Sequence, residues 1–311
     1  MSKPTILVTG ADLAAEAVAL LSDFELVFAG KTPSEDHLVS LCEAHDPVAM
    51  IVRYGRITPR VIAAATSLRV ISKHGSGIDT INVEAARQRG VDVRAAAGAN
   101  AIAVAEHALA LMLACAKSVV PLHERMLAGH WDKSTHKSLE LAGKTLGLVG
   151  LGAIGARVAA YGHSLGMRVI AHDPYAKSAP AGVALLPLAD VLREADVLSL
   201  HCPLTDANRH MLNGASIAGM RDGAVIINTA RGGLIDEAAL IAALKSGKIR
   251  AAGLDSFAIE PLEDSARFHG IPGLILSPHV GGVSSEAYVR MGVDAARNVL
   301  SSLNQPIRAA S

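Results

Sequence analysis

The 311-residue chain balances 29 Lys and Arg against 29 Asp and Glu, and half of its residues are hydrophobic. A chain of this length has room for two domains of about 150 residues each, with cores large enough to need no disulfide staples. Zero formal charge and an aromatic content of 3% speak against a bulk nucleic-acid binder, which carries a basic excess and stacking platforms.

In chain order, short apolar runs at 6–8, 26–28, 49–52, 69–72 and 91–93 read as strands. Between them, 11–21, 34–44, 59–65 and 83–89 read as helices. Thr58-Pro59 is a good helix start, a hydroxyl cap followed by Pro at the first helical position. Residues 101–119 read as one long apolar helix, followed by a polar stretch at 129–139 that contains Trp131. Alternation then resumes, with strands at 145–149, 168–171, 197–200, 224–228, 251–254 and 274–276. Helices are expected at 154–165 and 236–245, and a last one at 284–303. Repeated strand–helix alternation predicts parallel sheets with helices on both faces, here two α/β lobes.

Cys42, Cys115 and Cys202 are widely spaced, with no Cys-x-x-Cys among them. Buried free thiols in a reducing cytoplasm are expected. The N-terminal MSKPTILVTG has only a short apolar run, less than a secretion signal needs. The apolar stretch 101–116 contains Glu106 and His107 and falls short of the about 20 residues of a membrane span. The thirteen histidines form no His-Glu-x-x-His, so no metal site is expected.

The segment TLGLVGLGAIG places Gly150, Gly152 and Gly155 in a Gly-x-Gly-x-x-Gly directly after a strand and at the start of a helix. Gly150 permits the tight turn, Gly152 the approach of backbone to a pyrophosphate, and Gly155 close helix–strand packing. Free N–H groups and the helix dipole then face the phosphates. Asp173 ends the next strand, 23 residues after Gly150, where the fingerprint places an acid on the ribose hydroxyls. That acid repels the extra phosphate of NADP and favours NAD, although Lys177 nearby softens the preference. The bland reading of Asp173 is a cap after a strand. Hydride chemistry also needs substrate-binding and proton-transfer groups. Ligands of open α/β sheets bind beyond the carboxyl ends of strands, and Arg231, Glu260 and His279 all follow such ends.

With these residues in view, the chain resembles the D-isomer-specific 2-hydroxyacid dehydrogenases from about Val48 to Leu300. The matching segments are KHGSGIDTIN, ANAIAVAEHALALML, GKTLGLVGLGAIG, HCPLT, INTARGGLIDEAAL, GLDSFAIEP and SPHVGG. The resemblance implies two Rossmann-like lobes, each a parallel sheet flanked by helices, with a cleft between them. The substrate domain would be discontinuous, 1–99 plus 284–311, and the NAD-binding domain would span 100–283. It puts the family's Arg, Glu and His on Arg231, Glu260 and His279. The guanidinium would hold the substrate carboxylate and polarise the ketone, and Glu260 would orient His279 as acid and base. It further implies that Ser76 and Gly77 hold the carboxylate through backbone N–H groups, although a simple Gly-Ser turn fits as well. Asn100 falls at the hinge, Asp255 at the nicotinamide carboxamide, and Ala153 and Ile154 on the phosphate turn. Pro203 and Thr205 fall beside the adenine and ribose, and Thr229 and Ala230 on the nicotinamide side.

Ala101, Ser256, Ala258 and His74 depart from the usual pattern without touching the trio. Arg53 and Lys73 are candidates for a second anionic group of the substrate, or else are solvated surface charge, and Lys133 is placed to reach a partner's cleft. The resemblance is nearest to the phosphoglycerate and hydroxypyruvate branch, and the substrate stays open among 3-phosphoglycerate, glyoxylate or hydroxypyruvate, lactate-like acids, and sulfonated or dicarboxylic analogues. The expected assembly is a homodimer with no membrane or nucleic-acid partner. The rival reading is an NAD(H)-sensing corepressor with little turnover.

Overall fold

The computed structural model describes residues 3–304, and the chain divides into two compact units. One takes in the residues up to Asn100 and those from Val283 on; the other runs from Ala101 to Gly282.

The first unit opens as β1 (Thr5–Val8), α1 (Ala15–Leu20), β2 (Glu25–Phe28), α2 (Glu35–His45), β3 (Ala49–Val52), α3 (Pro59–Ala64), β4 (Val70–Lys73), α4 (Val83–Gln88) and β5 (Asp92–Ala95). Its strands form a five-stranded parallel sheet in the order β2-β1-β3-β4-β5. Alternate side chains serve opposite faces. Leu7, Met50 and Ile71 join Leu38 and Ile62 on one side, while Ile6, Val8, Ile51 and Val70 join Ala17 and Leu21 on the other. Leu38, Met50 and Ile71 are fully buried; truncating one to Ala would cost about 2–5 kcal/mol.

The second unit continues as α5 (Ala101–Lys117), α6 (Val119–Leu127), β6 (Thr145–Val149), α7 (Ala153–Ser164), β7 (Arg168–His172), β8 (Val183–Leu185), α8 (Leu188–Glu194), β9 (Val197–Leu200), α9 (Gly214–Ala218), β10 (Ala224–Asn228), α10 (Glu237–Ser246), β11 (Ile249–Leu254) and β12 (Leu274–Leu276). Seven parallel strands line up as β12-β11-β10-β9-β6-β7-β8. Leu146, Leu148, Val225 and Ile227 meet α5 and α7 through Leu111, Met112, Val158 and Ala159. Leu198, Leu200 and Ile226 meet α8, α9 and α10 through Val191, Ile217, Leu240 and Leu244. The chain then returns to the first unit as α11 (Ser285–Leu303), whose Ala295, Ala296 and Val299 complete the core beside Ile6 and Val8.

Several elements differ from the sequence expectation, each for a local reason. The single helix expected over 101–119 breaks at Ser118, which is left-handed at φ 54°, and α5 and α6 are bent by 58°. Pro121 explains the break: a continuous helix would drive its ring into the carbonyl of Lys117, whereas the first turn of a new helix tolerates it. Helix α1 starts at Ala15 rather than residue 11, because the Asp12 carboxylate is engaged by Arg53 and Tyr288 instead of capping a helix. The short elements β8, α8 and α9 lacked a long enough apolar period to be read. No single helix among the described residues is long and apolar enough to cross a membrane. No group of His, Cys, Asp or Glu among them could hold a metal ion.

Candidate active site

In the seven-stranded sheet the strand order reverses between β6 and β9, and the carboxyl ends of these two parallel neighbours lie side by side at one edge. Gly150 follows β6 with φ 96°, a left-handed value that glycine adopts without strain. A Cβ there would lie 2.7 Å from the His201 carbonyl group and 2.8 Å from the Cys202 nitrogen, so only glycine lets the two strand ends approach. Gly155 is pressed against the Gly150 carbonyl in the same way, while Gly152 has open space where a side chain would point.

Helix α7 then starts at Gly152 without a side-chain cap. In α2, α3, α4, α10 and α11, by contrast, Ser34, Thr58, Asn82, Asp236 and Ser284 cap the first turn. The first-turn N–H groups of Ala153, Ile154 and Gly155 have no intrahelical acceptor by helix geometry. Asp173 accepts from Leu151 N at 2.8 Å and from Tyr175 N at 2.9 Å. Burial opposes its ionisation, but these N–H groups outweigh it and hold the carboxyl below its ordinary value. The acid is therefore a braced anion beside the glycine turn. These features fit a dinucleotide: open space at Gly152 beside uncapped N–H groups, and an anion placed for hydroxyls.

Past β9, Asn208 ties the next loop together. Its Oδ1 accepts from Thr205 N at 2.7 Å and its Nδ2 donates to the Pro203 carbonyl at 2.8 Å. Both Pro203 and Thr205 are exposed. Past β10, buried Asn228 holds a second turn by accepting from Ala230 N at 3.0 Å and donating to Arg231 O at 2.9 Å. The hydroxyls of Thr229 and Ser256, near the ends of β10 and β11, are buried without a protein partner. Such groups call for a polar ligand or water.

Arg231, Glu260 and His279 come together at this edge. Glu260 Oε2 is 2.6 Å from His279 Nδ1, and Glu260 Oε1 accepts from Phe257 N at 2.8 Å. Arg231 Nη1 donates to the Ala230 carbonyl at 2.8 Å, and its charge reaches both other groups. The turn that carries it lies hard against the Phe257–Ala258 backbone, where a side chain at Gly232 would collide. The hydrogen bond that His279 donates to Glu260 raises the His279 pKa above its ordinary 6.5, against the opposing effects of burial and Arg231. For Glu260, burial favours the neutral acid, but His279, Phe257 N–H and Arg231 together hold it lower.

A profile described as "D-isomer specific 2-hydroxyacid dehydrogenase, NAD binding domain" matches residues 109–281. The chain belongs to the D-isomer-specific 2-hydroxyacid dehydrogenase family. It is similar to a hydroxypyruvate reductase of Thermotoga maritima, at 38% identity over 91% of this chain and 93% of that one. It is also similar to a D-3-phosphoglycerate dehydrogenase of Mycobacterium tuberculosis, at 40% identity over 96% of this chain, but spans only 57% of that relative's length. Among solved structures, a glyoxylate reductase from Paecilomyes thermophila superimposes with a TM-score of 0.86, at 31% identity over 98% of this chain and 97% of that one. As a family member the chain is an NAD-dependent oxidoreductase with the two-lobe, Rossmann-like fold.

Asp255 and Arg53 are both held by contacts within the protein. Asp255 turns inward and is only 1% exposed. Its carboxylate accepts from Ser277 Oγ, Val280 N and Gly281 N at 2.6, 2.9 and 2.7 Å, and so anchors the turn that carries His279. In the first unit, Arg53 follows β3 at the strand-order reversal beside Gly10. Its side chain is only 12% exposed and is paired with Asp12. Its Cζ lies 5.3 and 5.0 Å from the ring centres of Tyr54 and Tyr288. Tyr288 also donates to Asp12 Oδ1 at 2.7 Å. Lys73 Nζ donates to the Arg53 carbonyl at 3.1 Å, and exposed Ser76 donates to Asn100 Oδ1 at 2.9 Å. Gly77 lies one residue on in the same loop, half-buried.

Asp12, Tyr288, His107 and Ser277 were not singled out by sequence reasoning. The last two stand in the segments AEHA and SPHVGG, whose spacing marks them as special without saying what they touch.

Proposed function

We propose that the enzyme interconverts a small 2-hydroxy acid and its 2-oxo acid, with glyoxylate or hydroxypyruvate as the preferred oxo acid. The observation that carries this reading is the Glu260–His279 pair under the charge of Arg231. Arg231 binds the substrate carboxylate and polarises the ketone, as a planar guanidinium does best. His279, kept protonated by Glu260, gives its proton to the forming alkoxide and takes it back in the oxidation direction. Bound NADH supplies the hydride. Gly150, Gly152, Ala153, Ile154 and Gly155 hold its pyrophosphate, Asp173 its ribose, and Pro203, Thr205, Thr229 and Ala230 line its path. The family resemblance also assigns Ser76, Gly77, Asn100 and Lys73 to the substrate.

The choice of a singly charged acid over 3-phosphoglycerate rests on Arg53. Its guanidinium already has a carboxylate counter-ion in Asp12 and lies near two aromatic rings, which leaves less positive field for a phosphate. A panel of 2-oxo acids with NADH and NADPH, followed by absorbance, tests the reading. Turnover should be fastest on glyoxylate or hydroxypyruvate, and NADH binding without turnover on any acid would favour the sensing role instead.

The assembly we propose is a homodimer through α6. This helix exposes Val119, Met126 and Leu127, the last 77% exposed, and Trp131 nearby is 74% exposed. A cluster of large apolar side chains of this kind is unusual on a monomer's surface. The three free cysteines suit the cytoplasm.

A further inference from the structure

We propose that His107 is a positioning residue for His279, acting through Ser277 and Asp255; the inference rests on the oxidoreductase reading above.

His107 projects from α5, a helix whose buried side chains are apolar. Its Nε2 lies 2.9 Å from Ser277 Oγ and 3.4 Å from Asp255 Oδ1. Ser277 has one hydroxyl proton, and it is given to Asp255 Oδ1 at 2.6 Å. Towards His107, therefore, Ser277 can only accept, and the imidazole must carry its proton on Nε2. The direction of every bond in the chain from α5 to the buried carboxylate is thereby set: His107 donates to Ser277, and Ser277 donates to Asp255.

Asp255 passes this order to the turn around His279. Its two oxygens accept from Val280 N and Gly281 N, the two residues that follow His279, while Ser277 stands two residues before it. Gly281 is pressed onto the same cluster, since a Cβ there would lie 2.8 Å from Asp255 Oδ2 and 3.3 Å from the His107 ring. The restraint is needed because His279 is left-handed, with φ 53°. A non-glycine residue holds that conformation only where its surroundings impose it. Two independent devices therefore aim the imidazole. Glu260 holds the ring by Nδ1, and the His107–Ser277–Asp255 chain holds the backbone beneath it.

The test compares His107→Ala, His107→Gln, Ser277→Ala and the double variant His107→Ala/Ser277→Ala. The readouts are kcat and KM on the best 2-oxo acid, NADH affinity by fluorescence, and the thermal midpoint. His107→Ala should lower kcat by about ten- to a hundredfold, the cost of a slightly misplaced reacting group, with NADH affinity near that of the wild type. Gln, which keeps a donor N–H in reach without the ring, should recover most of the loss. The double variant should fall no further than Ser277→Ala alone, since the two residues act in one chain. An unchanged kcat in His107→Ala, a loss in NADH affinity equal to the loss in kcat, or additive losses in the double variant would overturn the proposal. If His107→Ala does not fold, the remaining pair decides: near-wild-type Gln beside a slow Ser277→Ala supports the chain, and any other pattern contradicts it. Wild-type turnover is measured first. Its absence counts against the oxidoreductase reading, whereas normal wild-type turnover with an unaffected His107→Ala counts against this inference alone.

Discussion

The carboxylate of Glu260 is shared between two donors, the imidazole of His279 at 2.6 Å and the backbone N–H of Phe257 at 2.8 Å. The second contact fixes the acid so that the first can fix the ring. His279→Ala should therefore lower ketone reduction by about 10²–10⁴-fold, the usual contribution of a positioned proton donor, while NADH affinity stays near wild type. Glu260→Gln should give a smaller loss, because the imidazole remains but loses the carboxylate that favours its charged form. Single-turnover absorbance and NADH fluorescence separate these outcomes, and equal loss of NADH binding would contradict the assigned roles.

The same pair sets a pH dependence. His279 is raised above 6.5 and Glu260 is depressed below 4.5, so both are charged between those two shifted values. Reduction needs imidazolium and should decline as pH rises through the raised His279 value; oxidation needs neutral imidazole and should decline below it. In Glu260→Gln both limbs should move to lower pH. The pair's contribution to stability follows the same window. The His279 share is complete below 6.5 and is lost as pH rises through its folded value. The Glu260 share is complete above 4.5 and is lost as pH falls through its folded value. Both groups are partly exposed, so solvent screening keeps this contribution small. Rate–pH profiles in both directions check the assignment, and an unmoved limb in Glu260→Gln would sink it.

Asp173 should decide between NADH and NADPH. A carboxylate near a 2′-phosphate repels it by about 1–4 kcal/mol at 4 Å, according to how exposed the pair is. Asp173→Asn should thus raise the NADPH/NADH ratio of kcat/KM by about tenfold or more, while keeping an acceptor for Leu151 N–H. A ratio that does not move would show that other groups set the preference.

Asp12→Asn should free the positive field of Arg53 without removing side-chain bulk. Activity on a phosphorylated 2-oxo acid should rise relative to glyoxylate or hydroxypyruvate, by about tenfold if the unpaired guanidinium gains one charge-assisted bond. A constant ratio across the acid panel would show that Arg53 does not sense the second charge.

Leu127→Asp together with Trp131→Ser places a charge and a hydroxyl among the exposed apolar side chains of α6 and the segment after it. Light scattering should report a dimer for the wild type and a monomer for this variant. A wild-type monomer, or a variant that still dimerises, would move the interface elsewhere.

Much of the site could be read from residue order because its demands are local. A glycine at 150 is required by the backbone of one turn, and an acid at the end of β7 lies beside that turn in any parallel βαβ unit. Thr58-Pro59 capped its helix as its residues dictate. The break at Ser118 was equally local, but the apolar run across it hid the consequence of Pro121. Asp12, His107 and Asp255 were of another kind. Asp12 pairs with Arg53 forty-one residues away, and His107 with Ser277 one hundred and seventy residues away. Nothing in the spacing of such residues names their partners.

By itself, then, the sequence determined the alternating parallel sheets and the glycine turn with its acid. These follow from side-chain periodicity, glycine's backbone freedom and residue type, which are properties of short segments. Only the tertiary structure decided that Arg53 already has a counter-ion and that Asp255 faces the His279 turn rather than solvent. Burial and hydrogen-bond partners are set by which segments the sheets bring side by side, and each buried charge takes the nearest group that can satisfy it.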